Sequence, residues 1–106
     1  MKKSILILDD KEPIAKVLTF YLSTEFNVSW QPDGLMAIKW LQEGNQPDLI
    51  ITDIKMPNMR GDEFLAWLKK EELFKSIPCI MLSSEDSTSE RIKLLEMGAS
   101  DDSVKP

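Results

Sequence analysis

The fold class these 106 residues predict is α/β, a doubly wound parallel sheet with helices on both faces. Three observations predict it. Short apolar runs alternate with stretches of helical periodicity, at intervals of roughly 20 to 25 residues, which spells repeated βα units. The first run is apolar throughout rather than alternating, as strands buried on both faces are. Polar groups able to do chemistry follow the strand ends, where open α/β sheets bind their ligands.

The elements follow in order. Ser4 to Leu8 is the first strand. Lys11-Glu12-Pro13 comes next, with a proline and an acid where a helix's first turn accepts them. Ile14, Val17, Leu18, Tyr21 and Leu22 then recur at helical spacing and predict the buried stripe of that helix. Phe26 to Trp30 is the second strand, Asp33-Gly34 a turn, and Ala37, Ile38 and Leu41 a second helix closed by Gly44. Leu49 to Thr52 is the third strand. Phe64, Leu65 and Leu68 stripe a third helix, whose solvated end is Lys69-Lys70-Glu71-Glu72. Pro78 to Leu82 is the fourth strand. Ile92, Leu95 and Met97 stripe a fourth helix ending near Gly98, and Asp102-Ser103-Val104 is a short, polar fifth strand. Met36, Met56, Met59, Met81 and Met97 read as core or loop packing.

Bulk properties narrow the function. The length fits one domain with one core. A net charge of −5 argues against nucleic-acid binding, which needs clustered Lys and Arg. Apolar runs are too short to cross a membrane. The opening Met-Lys-Lys-Ser leads to four apolar residues and then Asp9-Asp10, which is no signal peptide. The one cysteine, Cys79, lies in an apolar segment and reads as a buried, reduced thiol in a cytoplasmic protein.

Strand ends carry the chemistry. The first delivers Asp9-Asp10, the third Asp53, the fourth Ser83-Ser84 and the fifth Lys105. Capping of a following helix accounts for a serine. It accounts poorly for three carboxylates brought together, since like charges resist ionising side by side. A cage for Mg²⁺ explains them better, because that ion takes a few carboxylates plus water and a phosphate oxygen. Beside such an ion, Asp53 can act as a nucleophile toward phosphorus, Lys105 can neutralise charge and Ser83 can donate a hydrogen bond.

The order and spacing of Asp9-Asp10, Asp53-Ile54-Lys55-Met56-Pro57 with Gly61, Ser83-Ser84, Gly98-Ala99 and Lys105-Pro106 resemble the receiver domain of two-component response regulators, over essentially the whole chain. That resemblance implies a flavodoxin-like sheet in the order 2-1-3-4-5. It implies a signalling domain rather than an enzyme, in which Asp53 accepts a phosphoryl group from a sensor histidine kinase or a phosphotransfer protein. Asp10 would ligate Mg²⁺ directly and Asp9 through water, with Asp53 and the backbone carbonyl of Lys55 completing the protein ligands. Ser83 and Lys105 would engage the phosphoryl group, and Lys105-Pro106 would be a cis peptide. Lys55 and Glu85 would flank the site and tune the phosphoryl lifetime, as an ion pair over Asp53 that slows entry of water.

Three departures bear on activation. Asp102 stands where the family carries a switching aromatic, so the usual hydroxyl–aromatic relay has no ring to move. Ser103 replaces an apolar strand residue and predicts a weak fifth strand. The sequence reaches Pro106 without the family's fifth helix, so residues 1–106 read as a C-terminally truncated receiver domain, with an apolar face left for self-association or another cover. Among other readings, a haloacid-dehalogenase-type phosphatase needs a second aspartate where Lys55 stands. A flavin or nucleotide domain needs a Gly-rich loop after the first strand. The remaining alternative is a phosphorylation-independent pseudo-receiver acting as a protein-interaction module, which Asp102 favours and the intact Asp9, Asp10, Asp53, Ser83 and Lys105 oppose.

Overall fold

A computed structural model describes residues 2–83 and 101–104, with residue 83 and residues 101–104 described by backbone alone. Their order is β1 (Lys3–Leu8), α1 (Glu12–Leu22), β2 (Phe26–Gln31), α2 (Gly34–Gln42), β3 (Leu49–Asp53), α3 (Gly61–Lys70), β4 (Cys79–Ser83) and β5 (Asp101–Val104). The strands form one parallel sheet in the order β2-β1-β3-β4-β5, the order the resemblance implied. The predicted fourth helix, Glu85 and Lys105-Pro106 lie outside the described residues.

Alternation along the strands divides the core. Leu6, Leu8, Ile50, Cys79 and Met81 face α2 and α3, packing with Ala37, Leu41, Phe64, Leu65 and Leu68. Trp67 stacks between Phe64 and Phe74, at centroid distances of 6.2 and 5.9 Å. Ile5, Ile7 and Ala15 are also buried but belong to the other face, that of α1. At the amino-terminal edge, Asp48 ties β3 to β1: its carboxylate accepts the Ser4 N–H at 2.8 Å, and its own N–H donates to the Ser4 carbonyl at 2.8 Å.

Two expectations are corrected. Asp33-Gly34 does more than turn the chain: Asp33 is the N-cap of α2, its Oδ1 accepting the Met36 N–H at 3.0 Å. On α1, only one side of the predicted stripe is seated. Ala15 is buried and Ile14, Leu18 and Leu22 are half-buried, whereas Val17 and Tyr21 stand exposed beside Phe20. Apolar residues at 14, 15, 17, 18, 20, 21 and 22 cover more than one face of the helix. The face centred on Ala15, the fully buried residue of α1, is the seated one, and Val17 and Tyr21 fall outward from it.

Candidate functional site

Two neighbouring strands build the site. β1 and β3 run parallel with Leu8 opposite Thr52, so the next residues, Asp9 and Asp53, emerge side by side at one strand spacing. Asp10 follows Asp9. One carboxylate oxygen from each of Asp9, Asp10 and Asp53 lies within 4.8 Å of the other two. Asp9 is 1% and Asp53 4% exposed, while Asp10 faces solvent.

Backbone donors hold the buried carboxylates. Lys11 N–H donates to Asp9 Oδ1 at 2.9 Å, and Ile54 N–H donates to Asp53 Oδ1 at 2.8 Å. Their own backbones are pinned as well. The Trp30 indole N–H donates to the Asp9 carbonyl at 2.8 Å, and the Thr52 hydroxyl to the Asp53 carbonyl at 2.9 Å. Gly61 N–H donates to the Ile54 carbonyl at 2.8 Å, and a β-carbon on Gly61 would fall on the Asp53 carbonyl oxygen. That close approach is why glycine begins α3. Sequence reasoning missed Trp30, since nothing in a strand-end tryptophan announces a bond to the neighbouring strand.

The donor set is all oxygen, anionic and converging at the surface. It fits a small hard cation such as Mg²⁺ or Mn²⁺, which keeps several waters beside a few carboxylates. Thus Asp9, Asp10 and Asp53 are brought together as the sequence predicted. Lys55, two residues after Asp53, is exposed in the β3–α3 loop. Ser83 ends β4, one residue beyond Leu82, which pairs with Asp53; Ser83 itself pairs with Val104, the residue before Lys105 in the sequence. Asp102 lies within β5, opposite Met81. Cys79 stands apart from this chemistry: burial pushes its thiol up to about 12, against the lesser, opposing pull of the Lys69 charge.

Comparison with known proteins gives a consistent answer. The family model described as response regulator receiver domain matches residues 5–106. Hybrid signal transduction histidine kinase D of Dictyostelium discoideum is 35% identical over 105 residues, 99% of this chain and 7% of that protein. The alkaline phosphatase synthesis transcriptional regulatory protein PhoP of Bacillus subtilis is 35% identical over 107 residues, covering all of this chain and 43% of that protein. The chain therefore spans less than half the length of these two relatives. The solved Mn²⁺-bound form of response regulator Rcp1 superposes with a TM-score of 0.89 at 26% identity, covering 98% of this chain and 81% of that one.

Proposed function

This chain belongs to the response regulator receiver domain family, and we propose that it serves as the phosphoacceptor of a two-component phosphorelay, taking a phosphoryl group on Asp53. The observation that carries this reading is the convergence of Asp9, Asp10 and Asp53 at the strand ends, their oxygens within 4.8 Å. The donor is a phosphohistidine on a sensor histidine kinase or phosphotransfer protein. An Asp53 carboxylate oxygen bonds to phosphorus as the P–N bond breaks, and the imidazole nitrogen keeps the electron pair. A divalent ion held by Asp9, Asp10, Asp53 and the Lys55 carbonyl would supply charge neutralisation at the phosphoryl oxygens. That a related receiver was solved with Mn²⁺ supports this choice.

The chain's own residues do the rest. The Ile54 N–H fixes the Asp53 carboxylate for attack, which is the positioning that phosphoryl transfer chiefly requires. Ser83 donates a hydrogen bond to the transferred group, the Lys105 ammonium pairs with it, and Lys55 with Glu85 sets its lifetime. The module signals by conformational change or altered association. Its enzymatic capacity is limited to self-phosphorylation and self-dephosphorylation, and its setting is cytoplasmic. Val17, Phe20 and Tyr21, 49%, 75% and 72% exposed on α1, offer an apolar surface for a second copy. Sedimentation as a monomer at high concentration would remove that second copy.

Intact mass after incubation with a low-molecular-weight acyl phosphate and Mg²⁺ tests the reading. One added phosphoryl group is expected in the parent and none in Asp53→Asn. A folded, Mg²⁺-binding parent that takes up nothing would refute it.

A further inference from the structure

The geometry points to Asp33 and Asn58 as positioning residues for the phosphoacceptor site, joined in a latch between the start of α2 and the β3–α3 loop. The inference rests on the phosphoacceptor reading, because it concerns the loop that carries the Lys55 carbonyl.

An N-cap needs one side-chain oxygen, and serine or threonine serves as well as aspartate. Asp33 uses two. Its Oδ1 accepts the Met36 N–H at 3.0 Å, and its Oδ2 accepts the Asn58 side-chain N–H at 3.0 Å. Asp33 is only 5% exposed while Asn58 reaches it from an exposed position in the loop, so the carboxylate is the shielded end of the pair. Asn58 sits at φ 67°, in the left-handed region that asparagine tolerates better than most side chains. Glycine would accept that backbone but offers no donor, so asparagine meets both needs.

Two further contacts join the same segments. Gly34 N–H donates to the Met59 carbonyl at 3.4 Å, and a β-carbon on Gly34 would lie 2.7 Å from Met59 Cγ. Met59 N–H closes a tight turn onto the Pro57 carbonyl at 2.7 Å. The loop is therefore held near both ends, by Asp53 in β3 and by the Gly61–Ile54 bond, and in its middle by α2. Lys55 lies within the tethered stretch, two residues from Asp53 and three from Asn58. A loop fixed at three points presents its carbonyl at a set position, and second-layer contacts of this kind tune metal affinity.

Three variants test the latch, read by Mg²⁺ titration calorimetry and by amide exchange over residues 54–61 in metal-stripped protein. Asn58→Gly keeps the backbone conformation and deletes the donor. It should weaken Mg²⁺ binding by about tenfold, the lower end for such residues, and speed exchange in the loop. Asp33→Ser preserves an oxygen for the cap but leaves no second acceptor for the Asn58 donor, with the same expected effects. Combining Asp33→Asn with Asn58→Asp puts a donor and an acceptor back across the gap and should recover both readouts. Parental affinity and exchange in Asn58→Gly would overturn the latch, as would a double variant no better than the singles. A parent that neither binds Mg²⁺ nor takes up a phosphoryl group would instead refute the phosphoacceptor reading, and exchange in the metal-stripped protein would still decide the latch.

Discussion

Removing one charge from the carboxylate cluster should stabilise the protein without Mg²⁺ and desensitise it to Mg²⁺. Two unit charges 4.8 Å apart, the outer separation here, repel by about 0.9 kcal/mol in water and about 3.5 at an effective dielectric of 20. Asp10 faces solvent, so its two pairs, with Asp9 and with Asp53, belong to the lower figure. Screening at physiological salt, where the Debye length is about 8 Å, brings their sum to about 1 kcal/mol. Asp10→Asn should then raise the unfolding midpoint in chelator by about 4–8 °C. The parent should gain about 2.7 kcal/mol, or about 10–20 °C, when Mg²⁺ reaches 100 times its Kd. At that same Mg²⁺ concentration Asp10→Asn should gain much less, having lost a ligand. Scanning calorimetry of both proteins, in chelator and across a Mg²⁺ series, reads both effects. A variant whose chelated midpoint falls while its Mg²⁺ response matches the parent's would refute the reasoning, since Asp10 would then neither strain the site nor bind the ion.

Two further perturbations probe the site's supports. Gly61→Ala sets a methyl group on the Asp53 carbonyl, so the loop or the strand end must shift. A loss of about 1–3 kcal/mol in urea unfolding is expected, with weaker Mg²⁺ binding, and a parental midpoint would show that the junction yields easily. For Cys79, the folded thiol titrates near 12 against an ordinary 9.0. The raised value favours the protonated folded state, so this contribution is complete below pH 9 and is lost as pH rises from about 9 to about 12. At pH 8 the native thiolate fraction is then about one in ten thousand. A disulfide-exchange dye should leave native protein unlabelled over the time in which urea-unfolded protein reacts fully, and prompt native labelling would contradict the burial.

Legibility in the sequence followed the strength of the local signal. β1, β3 and β4 were visible because each carries an unbroken apolar run, Ile5–Leu8, Leu49–Ile51 and Cys79–Leu82, and the ends of β1 and β3 then located Asp9, Asp10 and Asp53. Helices α2 and α3 were legible from single stripes: Ala37 and Leu41, and Phe64, Leu65 and Leu68, are buried as their spacing implied. Helix α1 was legible as a helix but not as to its seated face, because its apolar residues overlap around the axis and only the sheet selects among them. Asp33 looked like a turn residue because turns and N-caps ask for the same short acceptor. Asn58 gave no sign of its partner, which lies 25 residues away.

The sequence by itself determined the order of elements, the parallel sheet and the rim on which three carboxylates would gather. Period-2 and period-3.6 burial are local properties, and a carboxylate just past an apolar strand keeps its place on the rim whatever packs elsewhere. Tertiary structure alone decided the pairings across that rim: Asp9 beside Asp53 through the β1–β3 register, the Trp30 indole on the Asp9 carbonyl, and Asp33 against Asn58. Each joins residues far apart in the chain, and hydrogen bonds at about 3 Å depend on how the sheet twists and the helices seat. No local pattern encodes that geometry.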